Sequence, residues 1–161
     1  MALTGARRTL VVKSPVAAAV GAGVEFHEPH GVMQIVLGGS TTEISVLSLN
    51  GIVAARSMRT GGNAMDEAVV RYLRREKGIV IGVRTAEDLK MDLGSATEPE
   101  EDTTVRVKGR SVHTGRPETI EITNRDIYLA LRAPVELLVD AIKDALANTP
   151  AELAGDLMDK G

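Results

Sequence analysis

Between Val32 and Arg59 three strand-like runs are separated by only two turn signals. That spacing restricts the chain to a sheet with tight connections. "VMQIVL" (Val32–Leu37) is nearly all apolar, the composition of a strand covered on both faces. "TEISVLSL" (Thr42–Leu49) alternates Ile44 and Val46 against Glu43, Ser45 and Leu47. Asn50-Gly51 is a strong hairpin signal, and "IVAARSMR" (Ile52–Arg59) follows as the partner strand. A three-stranded β-meander is predicted.

Around it the pattern alternates between helix and strand. "TLVVK" (Thr9–Lys13) reads as a short buried strand, and "SPVAAAVGAG" as a helix with Ser14 as cap, Pro15 at its first position and Gly21 and Gly23 closing it. "VEFHEPH" reads as a loop. After Gly61-Gly62, Asn63 can cap "AMDEAVVRYLRREK", whose Met65, Ala68, Val69, Tyr72 and Leu73 fall at helical spacing. Thr85 opens a second helix with Leu89 and Leu93, closed by Gly94, and "TEPEED" is an acidic connector. Val105/Val107 and Ile120/Ile122 alternate as a second hairpin whose loop is expected to hold Gly109 and Gly115. Thr123 starts the longest helix, Pro134 is expected to kink it, and Pro150 opens a last short one.

Composition removes several function classes. The 161-residue chain contains no cysteine, which excludes disulfides, thiolate metal sites and cysteine nucleophiles. A net charge of -3 supplies no global attraction to nucleic acid or anionic lipid. Phe26, Tyr72 and Tyr128 are too few for base-stacking platforms. No apolar run approaches the roughly 20 residues of a membrane span. The stretch "MALTGARRTLVVKS" lacks a cleavage pattern, so no signal peptide is expected. Nucleic-acid partners and direct membrane contact are accordingly not expected, and the expected location is cytoplasmic.

The residues that could carry chemistry are few. In "GGSTT" (Gly38–Thr42) two glycines let backbone N–H groups converge on an anion, with hydroxyls as further donors, although hairpin turns use the same residues for geometry alone. His27, Glu28 and His30 have no further metal ligand clustered with them, the next histidine being the distant His113, and the loop reads as solvated. Asp66 and Glu67, and Glu87 and Asp88, lie near helix starts, where the helix dipole accounts for them. The basic groups of "RRTLVVK" and "RYLRREK" read as solvated faces.

Taken in order, "SPVAAAVGAG", "LGGSTTEISVLSLNGIV", "RTGGNAMDEAVVRYLRR", "TAEDLKMDLGSA" and "NTPAELAGDLMDKG" resemble the MreB/Mbl family of bacterial actin homologues. The resemblance runs from about Gly5 to Gly161 but covers only most of the family's second domain, as a truncated form would. It implies an α/β fold: a partial actin-like, ribonuclease H-like core with a β-meander and flanking helices, plus a small α+β subdomain inserted in it. The incomplete core would be residues 1–62 and 124–161, and the insertion 63–123.

Position by position, the resemblance also implies what the chain has lost. Where the family's phosphate hairpin reads Asp-Ile-Gly-Gly-Gly-Thr-Thr-Glu, the Asp of the magnesium network is Val36 and the third glycine is Ser40. Gly38, Gly39, Thr41, Thr42 and Glu43 match. The family's Glu-Glu-Pro is Lys13-Ser14-Pro15, and its Gly-Gly-Asp is Gly61-Gly62-Asn63. Glu87 and Lys90 remain from the helix that resembles the ribose- and adenine-contacting element. A vestigial nucleotide site would therefore comprise Gly38, Gly39, Ser40, Thr41, Glu87 and Lys90, with no catalytic residue and no metal ligand. A valine cannot organise hydrated Mg²⁺, and a Lys-Ser pair cannot orient water as a carboxylate does. No cofactor is expected, and any residual contact with ATP and Mg²⁺ would be weak. The expected role is in cell shape, without ATP hydrolysis, through association with a full-length MreB/Mbl-type paralogue or with itself. The alternatives are an ATP-binding protein whose cleft a partner completes, and a decayed gene product.

Overall fold

The computed structural model describes Gly5 and residues 9–160, with side chains as far as residue 158. The chain packs into two compact units. The first comprises Met1–Val36, Glu43–Ser57 and Lys143–Gly161, and the second Leu37–Thr42 and Met58–Ile142.

In the first unit, β1 (Val32–Leu37), β2 (Thr42–Ser48) and β3 (Gly51–Met58) form a sheet in the order β1-β2-β3, the predicted meander. Its connecting turn is Leu49-Asn50, one residue earlier than the Asn50-Gly51 signal, with φ of 49° and 60°. Positive φ at both residues makes this the type I′ turn whose twist suits a two-residue hairpin. Leu49 accepts an unfavourable conformation there. The turn is held by the Leu49 N–H donating to the Glu28 carbonyl and the Asn50 N–H donating to that of Phe26, at 3.2 and 2.9 Å.

The strand covered on both faces is β2, not β1. Ile44, Val46 and Leu47 are completely buried, and Ser45 and Ser48 nearly so, whereas no residue of β1 is buried. Position in the sheet decides this, because β2 has a neighbour on either side and β1 is an edge among the described strands. Ala19 on α1 (Ser14–Gly21), Phe26 and Leu47 form the small core, flanked by Val16, Val24 and Ile52. Lys13, rather than Ser14, is the flanking residue of α1, and it gives no side-chain cap. Helix α5 (Ala151–Lys160) follows Pro150 as expected, and its Asp156 carboxylate accepts the Gly31 N–H at 2.9 Å.

"TLVVK" does not form the predicted buried strand. Residues 9–13 carry no regular structure, and Leu10, Val11 and Val12 are 74%, 94% and 60% exposed. A strand needs a neighbour for its N–H and C=O groups, and no described strand runs beside this one.

The second unit is built on a sheet in the order β4-β5-β6: β4 (Ile79–Val80), β5 (Thr104–Ser111) and β6 (Pro117–Thr123). All pairs are antiparallel, with Val105 opposite Ile122 and Val107 opposite Ile120, so the alternating residues meet across the predicted hairpin. Gly109 is not in the loop but inside β5, opposite Glu118. A Cβ there would lie 2.6 Å from Ile79 Cγ1 and 2.7 Å from the Val80 carbonyl oxygen, so glycine lets β4 come close. The two-residue β4 was too short to show a periodicity.

Helices α2 (Gly62–Glu76), α3 (Val83–Leu93) and α4 (Asn124–Ala147) complete this unit; α4 belongs to it as far as Ile142. They bury Val69, Leu73, Ala86, Leu89, Leu93, Ile127 and Leu131 with Ile79, Ile81, Val107 and Ile122 of the sheet side. Val69, Leu73, Leu89, Leu93, Val107 and Ile122 are positions marked by helical and alternating spacing. Helix α4 runs through Pro134 as one assigned helix.

The start of α4 is a reciprocal capping box. The Asp126 N–H donates to Thr123 Oγ1 at 3.1 Å, and the Thr123 N–H donates to Asp126 Oδ2 at 3.0 Å. Lys77, just past α2, places its ammonium 2.8 Å from the same carboxylate, joining the two helices. Burial pushes the Asp126 carboxyl up, but the hydrogen bonds from Lys77 and Thr123 and the Lys77 charge outweigh it and hold the carboxyl below the usual range. Tyr72 nearby is pushed above the ordinary phenol value, first by burial and then by the Asp126 charge.

Two outcomes follow from this packing. Asp126→Asn removes the ion pair and is expected to cost about 1–2 kcal/mol in urea unfolding at pH 7. A carboxylate with a depressed folded-state pKa stabilises above its unfolded value, about pH 4, and that contribution is lost as pH falls through the folded value. The difference between wild type and Asp126→Asn should therefore shrink below about pH 4. Leu73→Ala, at a fully buried position, should cost about 2–5 kcal/mol, while Met91→Ala, 75% exposed, should change stability by less than about 0.5 kcal/mol.

Candidate functional site

The glycine loop joins β1 to β2 and lies in the second unit, with the start of α2. Within the loop the Gly38 N–H donates to the Thr41 carbonyl at 2.9 Å. Thr42, fully buried, donates its hydroxyl to the Thr60 carbonyl at 2.6 Å. The Gly62 N–H then donates to the Gly38 carbonyl at 3.0 Å, and the Asn63 N–H to the Gly39 carbonyl at 2.8 Å. The first amides of α2 are therefore capped by the backbone of the loop, and no side chain caps this helix.

Gly61 makes that approach feasible. A Cβ at this position would lie 2.3 Å from the Gly38 carbonyl oxygen and 2.7 Å from that of Gly39, distances no side chain tolerates. Asn63 is thus not the cap the sequence suggested. It lies inside the first turn, and its Nδ2 donates to Ser40 Oγ at 3.4 Å. Ser40 does not have positive φ, so a side chain is accommodated where the family resemblance places glycine.

Lys90 reaches the same helix start from α3. Its ammonium lies 2.7 Å from Asp66 Oδ1 and donates to the Gly62 carbonyl at 3.3 Å. Asp66 is 4% exposed, so this is a mostly buried ion pair, in an orientation short of a directed hydrogen bond. Of the six expected nucleotide contacts, Gly38, Gly39, Ser40 and Thr41 form one exposed loop, and Lys90 meets the helix that this loop caps. Glu87 is exposed on α3, one turn before Lys90, and takes no part in these contacts. Thr60 was not singled out, Gly61 was noted only as a break and a family match before α2, and Thr42 and Asp66 were noted but left out of the expected nucleotide site. Asp66 had a sufficient local explanation in the helix dipole, and only the fold brings Lys90 to it.

The donor set does not suit a hydrated Mg²⁺, which needs carboxylate oxygens in near-octahedral geometry. Val36 is apolar, Asn63 is neutral, and Asp66 is held by Lys90. Among the described residues no group of three His, Cys, Asp or Glu side chains could hold a metal ion, and His30 Nδ1 lies 3.3 Å from Glu28 instead.

In the first unit, Lys13, Ser14 and Pro15 line a recess of about 370 Å³ with Glu43, Ile52, Arg56 and Ser57. Glu43 Oε2 is buried there without a hydrogen-bond partner. Among the described residues no helix is long and apolar enough to cross a membrane.

Known proteins share this architecture. The family model described as MreB/Mbl protein matches residues 1–161. The cell shape-determining protein MreB of Escherichia coli K12 is 41% identical over 157 residues, covering 98% of this chain and 45% of that protein. The cell shape-determining protein Mbl of Bacillus subtilis is 35% identical over 158 residues, covering 98% and 47%. The chain thus spans about half the length of the curated relatives it matches. The crystal structure of MreB5 of Spiroplasma citri bound to ADP superposes with a TM-score of 0.94 at 34% identity, over 99% of this chain and 49% of that one. A MamK double helical filament, at 20% identity and a TM-score of 0.70, shares the fold. The fold is a partial actin-like one, and the chain belongs to the MreB/Mbl family.

Proposed function

We propose that this chain acts in bacterial cell shape as a cytoplasmic, actin-like element that associates with a full-length MreB/Mbl-type homologue, or with itself, without hydrolysing ATP. The cell-shape reading is supported by its relatives, the cell shape-determining proteins MreB and Mbl, and by the family match over residues 1–161. Association is supported by a filament among the structures that share its fold.

The observation that carries the nucleotide half of the reading is the fate of the acidic residues. Phosphoryl transfer is driven by positioning and by metal-centred electrostatics. Before the loop stands Val36 and at the start of α2 stands Asn63, and the buried carboxylate of the same helix start, Asp66, is neutralised by Lys90. A cation drawn into this loop would find backbone carbonyls already bonded to the amides of α2. Residues 63–123 remain, on this reading, the subdomain inserted in the core.

The rival reading, an ATP-binding half that a partner completes, draws on the solved relatives bound to ADP and to AMPPNP. Purified chain mixed with polymerised full-length MreB should pellet with it and release inorganic phosphate at least about 100-fold more slowly, mole for mole, than that homologue. Calorimetry with ATP and Mg²⁺ should give no saturable heat. A saturable Mg²⁺-dependent signal that Glu87→Ala abolishes would establish the rival reading, a chain that stays in the supernatant would end the proposed association with a full-length homologue, and a monomer in sedimentation of the chain alone would end self-association.

A further inference from the structure

Two departures from the family pattern face each other. Ser40 stands where the resemblance places the third glycine, and Asn63 where it places aspartate, and the Asn63 amide donates to the Ser40 hydroxyl at 3.4 Å. Glycine at 40 could not take part in this contact. The amide also has its oxygen toward the loop, since a Cβ on Gly39 would lie 3.2 Å from Asn63 Oδ1. The Asn63 side chain therefore lies against the glycine loop at Gly39 and Ser40, beside the backbone bonds from Gly62 and Asn63 to the Gly38 and Gly39 carbonyls.

We infer that Ser40 and Asn63 act as one positioning unit, a neutral latch that holds the glycine loop on α2 without a bound cation. A loop of this kind, exposed at Gly38, Gly39, Ser40 and Thr41, would otherwise fluctuate unless a ligand ordered it. Here the ordering comes from within the chain. A backbone cap, a side-chain amide and the Lys90–Asp66 pair converge on one turn of α2, and none brings net charge. The latch goes beyond the proposed role and does not depend on whether ATP is turned over. It is a means of ordering the loop on α2 from residues of the chain itself.

Amide hydrogen exchange of the full chain tests this without any nucleotide. Ser40→Gly and Asn63→Ala should each speed exchange of the Gly38, Gly62 and residue 63 amides, which are bonded within the loop and between loop and helix, by roughly threefold to tenfold, the range of one lost hydrogen bond. The double variant should be no faster than the quicker single one, because both remove the same contact. Ser40→Thr keeps the hydroxyl and should restore wild-type exchange, an outcome that a mere packing role at position 40 would not give. Millimolar MgCl₂ should leave the wild-type loop unchanged. Multiplicative effects in the double variant would overturn the latch, and so would slower exchange of the wild-type loop in Mg²⁺. Filament pelleting measured on the same variants separates this result from the association proposal.

Discussion

The second unit depends on an exchange of backbone hydrogen bonds between a turn and a helix. The carbonyls of Gly38 and Gly39 receive the first amides of α2, and Gly61 has to lack a side chain for them to meet. A helix start otherwise leaves several N–H groups unpaired, and a tight glycine turn leaves carbonyls pointing outward. Each solves the other's problem. The loop at the end of β1 is thereby drawn to α2, whose other face supplies Val69 and Leu73 to the core of that unit.

Charge follows from that arrangement. The same helix start receives Lys90, whose ammonium takes up Asp66 and the Gly62 carbonyl. This is the neighbourhood where the family resemblance would place a nucleotide. Here the charges are spent on each other. The ion pair is almost buried, and breaking one member would leave the other uncompensated, so it resists being recruited by a ligand. A second such joint, Lys77 with Asp126 at the capping box of α4, does comparable structural service where no ligand is in question.

Much of the fold was legible because the periodicities are local and strong. The alternation of Val105, Val107, Ile120 and Ile122 matched their opposition across β5 and β6, and the helical spacing of Val69, Leu73, Leu89 and Leu93 marked buried positions. The failures share a cause. "TLVVK" and "VMQIVL" were read as buried from their own apolarity, but burial of a strand depends on what lies beside it, which no local pattern encodes. Within the loop, glycines at 38 and 39 announced a tight turn. That Asn63 would reach Ser40 instead of capping its own helix depended on a residue 23 positions away.

The amino-acid sequence by itself determined the family, the strand and helix periods, and the absence of acids at positions 13, 36 and 63, because residue identity and spacing are properties of the chain alone. Only the tertiary structure decided which strand is central, that Asp66 belongs to Lys90, and that Gly61 is a point of contact rather than a mere break. Those are relations between segments distant along the chain, and they come into being when folding brings the segments together.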